Sequence, residues 1–295
     1  MNYLVIKDTS LKHYNTLRLE ATAHTILFPL NKEGIKEIFQ KNKDKKIVLL
    51  GNGSNILFSK KYYGLDYVFV SFKHLNNLYV ENNQIIAEAG VTLSELSWYA
   101  LEQGIKGFEF LEDIPGSVGG AVIMNAGTYK DTIGQLINEV TYYDKITEEI
   151  VSDKVTEDDF VRRNSKWAKN DDLIISVKFK MLEENKNEDY THILKEMQRI
   201  KKDRYMKQPR NFPNAGSVFK RPNLEGKDYI VWELFDGVGL RGKKIGDASI
   251  SEKHPGFIIN HGEATYDDVL SLIDLAKEKV KKKFDIDLEL EWKII

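Results

Sequence analysis

The sequence contains no cysteine, and this absence excludes several kinds of chemistry. Disulfide bonds, thiolate catalysis, iron–sulfur clusters and cysteine-bound zinc all require cysteine sulfur. The six histidines show no spacing that is typical of a metal site. We therefore predict a protein without a metal centre and without disulfides.

The chain also lacks a large excess of charge and any long apolar run. Its formal net charge of -2 argues against non-specific nucleic-acid binding, which needs a basic surface. No apolar run approaches the roughly 18 residues that a membrane span requires, and Met1–Asp8 has no signal-peptide pattern. We expect a cytoplasmic protein of two or three subdomains, with no nucleic-acid or membrane partner.

Two glycine-rich segments are the most informative feature that is present. The first follows the apolar run Ile47–Leu50, and the second has four glycines and a proline in residues 113–127. Glycine lets a backbone approach a ligand closely, and successive N–H groups in such a turn suit phosphate oxygens. The two segments together indicate a long ligand with a diphosphate, such as a dinucleotide. Two unrelated tight turns are the alternative.

The first glycine segment does not match the common phosphate-binding motifs. It lacks the Gly-Lys-Ser/Thr of a P-loop, because Asn55 and Ile56 follow instead. Ile56 also stands where the dinucleotide fingerprint has its third glycine, and no acidic residue follows at the expected spacing. A diphosphate would therefore have to be held in another way.

Helix and strand patterns alternate along the chain and predict an α+β or α/β class with several small sheets. Asn31 and Thr92 are candidate helix caps, and Thr265–Phe284 is the clearest helix. Asp287–Ile295 alternates between apolar and polar residues and is predicted as a strand, whereas the polar Asn185–Asp189 is predicted as a loop. The other predicted strands are Ile47–Leu50, Tyr67–Val70, Gln84–Ala89, Glu139–Asp144 and Leu173–Lys180.

Several polar side chains could carry chemistry. Ser217 has no neighbouring histidine and no Gly-x-Ser-x-Gly elbow, so it could donate a proton to a carbanion or simply satisfy the backbone of a turn. Arg162 and Arg163 could bind a carboxylate or phosphate, or they could be solvated. Glu291 has the same ambiguity, and the basic residues of Thr191–Tyr205 are predicted to form a solvated face.

These clusters, in this order, resemble the UDP-N-acetylenolpyruvoylglucosamine reductase family, the flavoenzymes of peptidoglycan precursor synthesis. The similarity extends over nearly the whole chain, and Ile114–Gly127 and Asn214–Lys220 are its most specific parts. The other matching segments are Asn15–Thr16, Gly51–Leu57, Arg163–Lys166, Gly239–Gly242, Ser251–His254 and Leu288–Trp292.

The resemblance implies an α+β protein with a vanillyl-alcohol-oxidase-like FAD-binding part of two α/β subdomains, followed by an α+β substrate domain. We expect the first subdomain in residues 1–70, with strand 287–295 returning to it, the second in 71–206 and the substrate domain in 207–286. The implied cofactor is non-covalent FAD. The implied FAD-binding residues are Gly51, Asn52, Gly53, Ser54, Asn55, Ile56, Ile114, Pro115, Gly116, Ser117, Gly119, Gly120, Ala121, Asn125, Ala126 and Gly127.

The resemblance also implies a reaction. FAD reduced by NADPH passes hydride to the enolpyruvyl group of a UDP-sugar, which gives UDP-N-acetylmuramate. Arg163 would stabilise the developing negative charge, Glu291 would assist as an acid, and Ser217 would protonate the alpha carbon. Lys207 and Arg221 would bind the UDP-sugar.

Two positions depart from the family pattern. Arg162 stands where the family commonly has tyrosine, and Arg221 stands where it often has asparagine. The short interval between Arg163 and Lys207 is similar to the second type of the family, which lacks a tyrosine-bearing loop over the substrate. We expect a monomer.

Two other functions remain open from the sequence. Another flavoprotein of the same fold, oxidising a small alcohol or hydroxy acid, would share the FAD segments but would not need Ser217, Arg163 or Glu291. A non-catalytic nucleotide-binding protein would purify without a yellow chromophore.

Overall fold

A computed structural model of the chain describes residues 1–128, 131–180 and 190–295. The described helices are α1 Lys32–Lys41, α2 Leu93–Glu102, α3 Val118–Met124, α4 Ile133–Leu136, α5 Lys166–Asn170, α6 Tyr190–Lys207, α7 Val231–Gly237 and α8 Tyr266–Phe284, with 3-10 turns at Lys12–Tyr14, Glu109–Leu111 and Glu157–Asp159. The loop predicted at Asn185–Asp189 lies outside the described residues.

The strands are mostly short. They are β1 Tyr3–Ser10, β2 Thr22–Pro29, β3 Lys46–Leu50, β4 Ile56–Leu57, β5 Tyr62–Tyr63, β6 Tyr67–Ser71, β7 Leu78–Glu81, β8 Gln84–Glu88, β9 Gly127–Thr128, β10 Asp131–Thr132, β11 Ile137–Asp144, β12 Glu149–Lys154, β13 Phe160–Val161, β14 Asn164–Ser165, β15 Leu173–Phe179, β16 Asn214–Ser217, β17 Asn223–Leu224, β18 Lys227–Asp228, β19 Lys244–Ile245, β20 Ala248–Ile250, β21 Phe257–Asn260 and β22 Lys293–Ile294.

The helix starts that the sequence predicts are confirmed by their caps. The Asn31 side chain accepts a hydrogen bond from the Gly34 N–H at 2.8 Å, just before α1 begins. Thr92 and Thr265 each form a capping box, at the starts of α2 and α8. These caps satisfy N–H groups that have no partner within the first helical turn.

The described residues separate into two compact units and confirm the α+β class. Unit 1 consists of residues 1–7, 25–52 and 65–204, and unit 2 consists of residues 8–24, 53–64 and 205–295. The three ligand-binding ranges expected from the sequence remain a prediction, because compactness does not report which residues bind a ligand.

Unit 1 contains a five-stranded antiparallel sheet in the order β12-β11-β15-β8-β7. It also contains β3, which pairs with β6 in parallel. Helix α3 packs against β15. The unit has its own apolar core, in which Ile85, Val140 and Phe179 are fully buried.

Unit 2 contains a four-stranded sheet in the order β16-β21-β20-β19, whose described pairs are antiparallel. Helix α8 packs against β19 and β20. The apolar stripe predicted for this helix is confirmed, because the residues that it buries are Val269, Leu272, Ile273, Ala276 and Val280.

The prediction of one continuous strand over Asp287–Ile295 is wrong. Within this segment, Lys293–Ile294 forms β22, which pairs in parallel with β4, and Leu290 makes an isolated bridge to Phe219. Leu288 and Trp292 are buried as predicted, but Ile294 is 40 % exposed. The alternation therefore reports the buried face correctly for part of the segment and does not report continuous pairing.

In residues 1–128, 131–180 and 190–295, no helix has both the length and the apolar character that are needed to cross a membrane.

Candidate active site

The second glycine segment forms the start of α3 in unit 1. Ser117 caps the helix, and its buried hydroxyl accepts a hydrogen bond from the Gly120 N–H at 3.5 Å. The N–H groups of Val118 and Gly119 donate to carbonyl oxygens at positions 91 and 89, at 2.8 and 2.9 Å. These two N–H groups are already used by the protein, so they are not the part of the turn that faces a phosphate.

The two glycine segments meet at Ser117. A Cβ atom at Gly51 would lie 2.6 Å from the Ser117 Oγ, so a side chain there would force Ser117 to shift. At Gly120, by contrast, the nearest atom that a Cβ would meet is the Ser117 Oγ, at 3.6 Å. Gly120 thus borders open space that a side chain would fill. The two glycine segments are therefore adjacent in the fold.

This open space fits the FAD that the resemblance implies. The Ser117 hydroxyl can donate to a diphosphate oxygen, and the missing side chain at Gly120 leaves room for that oxygen to approach. Ile114 and Pro115, at the start of the segment, are partly buried and offer apolar surface to a flat ring. The residue types are those that a dinucleotide-like ligand needs.

The remainder of the first glycine segment is fixed in unit 2 by a buried asparagine loop. Gly53 has a φ of +65°, and a Cβ atom there would overlap the carbonyl oxygen of Tyr14. The Thr16 N–H donates to the Gly53 carbonyl at 3.1 Å. Asn15 is 3 % exposed and its amide donates to two carbonyls of its own loop, at 2.9 and 3.1 Å. Asn15 therefore builds the surface on which Gly53 packs.

Arg163 lies at the tip of the β13–β14 hairpin of unit 1, with a φ of +59°. A non-glycine residue in this region costs about 1–3 kcal/mol and persists where the surroundings hold it. Two hydrogen bonds anchor the hairpin to the C-terminal end of α3: Asn125 Nδ2 donates to the Val161 carbonyl at 3.1 Å, and Ser165 Oγ donates to the Ile123 carbonyl at 3.2 Å. The structure thus places Arg163 on a hairpin that is bonded to the predicted FAD segment.

Ser217 is the last residue of β16 in unit 2, opposite Phe257 of β21. The preceding Gly216 has a φ of +74°, and the strand register shifts between Asn214 and Ser217. In the part of the chain that the structure describes, the Ser217 hydroxyl makes no hydrogen bond. The alternative that this hydroxyl satisfies the turn backbone therefore finds no support.

Within unit 2, a backbone hydrogen bond joins Glu291 to the Ser217 turn, and a side-chain hydrogen bond joins Asn55 to Glu291. The Glu291 N–H donates to the carbonyl of Val218, the residue after Ser217, at 2.9 Å. The Asn55 amide donates to the Glu291 carbonyl at 3.0 Å. The structure therefore brings two predicted catalytic residues and one predicted FAD-binding residue into one hydrogen-bonded cluster.

Glu291 differs from its sequence neighbour Glu289. The Glu289 side chain is 71 % exposed and forms a surface ion pair with Lys220. Glu291 is partly buried. The solvated-edge interpretation fits Glu289 and does not fit Glu291.

The two residues expected to bind the UDP-sugar are exposed residues of unit 2, the unit that also contains Ser217 and Glu291. Lys207 is the last residue of α6. Arg221 lies 3.8 Å from the Asp228 carboxylate across the β17–β18 hairpin. An ion pair this long and exposed contributes little to stability, so Arg221 can turn toward an anionic ligand at small cost.

The prediction that the basic residues of α6 form a solvated face is wrong for Arg204, and Lys201, although exposed, binds a buried carboxylate. Glu112 is 1 % exposed and accepts hydrogen bonds from Ser94 Oγ at 2.6 Å and from Lys201 Nζ at 3.1 Å. The Arg204 side chain is 15 % exposed and lies 4.0 Å from the Asp113 carboxylate. Sequence reasoning missed this pairing, because Lys201 and Glu112 are 89 positions apart. The acidic pair directly before Ile114 was the signal that could have indicated it.

Across the described ranges, no cluster of three or more acidic and histidine side chains has the arrangement of a metal site.

Two family profiles match the chain. The profile of the FAD binding domain matches residues 23–149, and that of the UDP-N-acetylenolpyruvoylglucosamine reductase C-terminal domain matches residues 208–295. The first match contains the two glycine segments, and the second contains the Ser217 and Glu291 cluster.

Known proteins support the same relationship over the whole chain. The chain is 38 % identical to UDP-N-acetylenolpyruvoylglucosamine reductase of Clostridium novyi over 97 % of this chain and 90 % of that protein. It is 36 % identical to the reductase of Geobacillus kaustophilus over 99 % of this chain and 93 % of that protein. The crystal structure of UDP-N-acetylenolpyruvylglucosamine reductase from Thermus caldophilus superposes with a TM-score of 0.79 and 28 % identity, covering 100 % of this chain and 99 % of that one.

Proposed function

The chain belongs to the UDP-N-acetylenolpyruvoylglucosamine reductase family, and on this premise we propose that it converts UDP-N-acetylenolpyruvoylglucosamine to UDP-N-acetylmuramate with NADPH as reductant. It is a flavin-dependent oxidoreductase, and its cofactor is FAD.

FAD, when bound, supplies hydride taken from NADPH to the terminal carbon of the enolpyruvyl double bond. The electron pair of that bond then moves to the alpha carbon and its carboxylate, and a proton must reach the alpha carbon to complete the lactyl group. Atoms and electrons balance with one NADPH, one proton and one NADP⁺. The protein's own task is to stabilise that negative charge and to deliver that proton.

The cluster of Ser217, Val218, Glu291 and Asn55 is the observation that carries this proposal. Ser217 presents a hydroxyl without a hydrogen-bond partner in the described residues, so the hydroxyl is free to donate its proton to a substrate. The hydrogen bond from the Glu291 N–H to the Val218 carbonyl holds the segment that contains Glu291 beside the segment that contains Ser217. Glu291 would assist the proton transfer as an acid.

Arg163 would stabilise the enolate-like charge, because a guanidinium donates to a carboxylate with two parallel N–H groups. Its left-handed backbone, held by the bonds of Asn125 and Ser165, supports a fixed position for this side chain. Lys207 and Arg221 would bind the anionic groups of the UDP-sugar.

The test is a visible absorption spectrum followed by one turnover. The purified protein is expected to be yellow, and acid precipitation is expected to release FAD into the supernatant. NADPH added without oxygen should bleach the flavin, and UDP-N-acetylenolpyruvoylglucosamine should restore the colour. The sugar product should be heavier by two hydrogen atoms in the mass spectrum.

Three results would contradict the proposal. A folded but colourless protein would exclude a flavoenzyme. Flavin that remains with the acid precipitate would exclude non-covalent binding. Flavin that is reduced by a small alcohol and is not reoxidised by the UDP-sugar would assign the chain to a different reaction.

A further inference from the structure

A tight turn of unit 2, residues 251–256 between β20 and β21, is hydrogen-bonded to the residue that follows Ser217. Val218, next to Ser217, donates its N–H to the Gly256 carbonyl at 3.0 Å. Phe257, directly after the turn, lies opposite Ser217 in the sheet. The position of the Ser217 backbone therefore depends on the conformation of this turn.

His254 lies in the middle of the turn and is held by it. Its N–H donates to the buried Ser251 Oγ at 3.2 Å, and its carbonyl accepts from the Phe257 N–H at 3.0 Å. The imidazole ring packs edge-on against Phe257, with the ring centroids 4.9 Å apart. The ring is thus in contact with the residue that opposes Ser217.

The His254 ring also accepts a hydrogen bond, and this fixes its protonation state. The Gly256 N–H donates to His254 Nδ1 at 3.2 Å. A nitrogen that accepts cannot carry a proton, so the ring is neutral with its proton on Nε2. Protonation would put a second N–H at Nδ1, directly against the Gly256 N–H, and would break this bond.

The charged groups around the turn also disfavour the protonated ring. Burial lowers the pKa of His254 below its ordinary value of 6.5; a hydrogen bond with its own backbone opposes this in part, and the Arg241 guanidinium adds to the lowering. Arg241 comes from the loop after α7 and is bound by Asp236 at 2.8 and 2.6 Å. Glu252 and Lys253, the neighbours of His254 in the turn, are exposed. The neutral ring is the stable form until the pH falls below this lowered value.

We propose that His254 is a positioning residue for Ser217, and that its neutral ring is required for proton delivery to the substrate. Two hydrogen bonds connect the ring to Ser217. The His254 ring accepts from the Gly256 N–H, and the Gly256 carbonyl accepts from Val218, the residue next to Ser217. Reduction of the flavin by NADPH does not use Ser217 and should not depend on His254. This inference rests on the proposed function, because it concerns the second half-reaction alone.

The experiment compares the two half-reactions of the holoenzyme over pH in double-mixing stopped flow. Enzyme is reduced by one equivalent of NADPH at neutral pH and then mixed with UDP-N-acetylenolpyruvoylglucosamine at the chosen pH. For the natural protein, the reoxidation rate should fall about tenfold for each pH unit below the pKa of His254, because the neutral fraction falls by that factor.

The informative variant is His254→Asn. An asparagine side-chain oxygen accepts from the N–H two residues later, the same bond that His254 Nδ1 makes, and it does not titrate. At alkaline pH this variant should reoxidise within about threefold of the natural rate, since the bond is kept. The fall in the reoxidation rate at low pH, which is the acid limb of the profile, should be absent. His254→Ser supplies a second acceptor that does not titrate.

His254→Leu and His261→Asn are the controls. Leucine keeps apolar contact with Phe257 but cannot accept from Gly256, so reoxidation should be slow at every pH. His261 directly follows β21, contacts Ser249 Oγ through Nε2 at 2.8 Å and packs edge-on against Phe212, so it matches His254 in its aromatic contact and is more exposed. The acid limb should remain in His261→Asn.

The outcomes separate the two claims. If the reduced natural enzyme is not reoxidised by the UDP-sugar at any pH, the proposed function is overturned. If it is reoxidised, but His254→Asn and His254→Ser keep the acid limb, the role of His254 is overturned and the proposed function stands. Loss of the limb in His261→Asn as well would also overturn the assignment to His254.

Discussion

At the scale of single residues, two glycines of the predicted FAD segments carry opposite constraints. Gly53 has a φ of +65° and no room for a Cβ atom beside the Tyr14 carbonyl. Gly120 lies in helix α3, where a Cβ atom would have its nearest neighbour at 3.6 Å. The first glycine is required by the fold, whereas the second leaves space for a ligand.

This contrast predicts different results for the same substitution. Gly53→Ala should destabilise the protein by about 3 kcal/mol or more, because strain of about 1–3 kcal/mol adds to a backbone clash. Gly120→Ala should unfold at the same or a higher urea concentration, since alanine in a helix is favoured over glycine by about 0.5–1 kcal/mol. Its FAD affinity, measured by flavin fluorescence, should fall at least about tenfold.

The Gly120→Ala measurement can contradict the assignment of the FAD site directly. If the variant is as stable as the natural protein and binds FAD with unchanged affinity, the open space at Gly120 does not hold the cofactor. Gly53→Ala is the comparison, because its expected loss of stability comes from a clash with the Tyr14 carbonyl within the protein itself.

At the scale of secondary-structure elements, the position of α6 depends on a buried carboxylate. Glu112, at 1 % exposure, has Lys201 of α6 as its charged partner and the Ser94 hydroxyl as its second donor. A buried charge that loses its partner keeps its desolvation cost. The Lys201 side chain is more than half exposed, so this ion pair contributes less to stability than a fully buried one.

Lys201→Met should therefore lower the free energy of unfolding by about 1–3 kcal/mol. The double variant Glu112→Gln, Lys201→Met should recover most of that loss, because glutamine still accepts from Ser94 and carries no charge. Urea unfolding measures both. If Lys201→Met is as stable as the natural protein, the buried Glu112 carboxylate does not depend on Lys201 as a partner. Lys195→Met, on the same helix, is the control.

The helices could be predicted from the sequence, since the signals that start them are local. Asn31, Thr92 and Thr265 each cap the helix within three residues of their own position. The final strand could not be predicted in this way. Residues 289 and 291 bond to the segment 218–220, whereas residues 293 and 295 bond to 55–57. The alternation of apolar and polar residues indicates which face of the segment is buried. It does not indicate that the segment changes the strand to which it is hydrogen-bonded.

The contacts between the site residues could not be predicted from the sequence either. Ser217 and Glu291 were ambiguous as isolated residues, and a role for them came from the resemblance. What joins them in the structure is a bond between the Glu291 N–H and the Val218 carbonyl and one between Asn55 and Glu291, which are 236 positions apart. His254 belongs to one of the segments that carry the resemblance, but no role for it could be assigned from the sequence, because the proposed role depends on a bond to Gly256 within the turn.

At the scale of the whole molecule, the candidate residues divide between the two compact units. Arg163, Ser117 and Gly120 belong to unit 1, whereas Ser217 and Glu291 belong to unit 2. Proton delivery is thus assigned to residues of one unit. A variant of Ser217 should affect that step and leave the binding and reduction of FAD intact.

The most direct test is stopped-flow absorbance of Ser217→Ala, with the two half-reactions recorded separately. NADPH should reduce the flavin at nearly the natural rate, and reoxidation by UDP-N-acetylenolpyruvoylglucosamine should slow by at least about 10²-fold. Ser217→Cys should keep more activity than alanine, because a thiol can donate a proton, and Ser249→Ala, a change in the same sheet, should reoxidise normally. If Ser217→Ala is reoxidised at the natural rate, the proton comes from elsewhere and the account of this site is wrong.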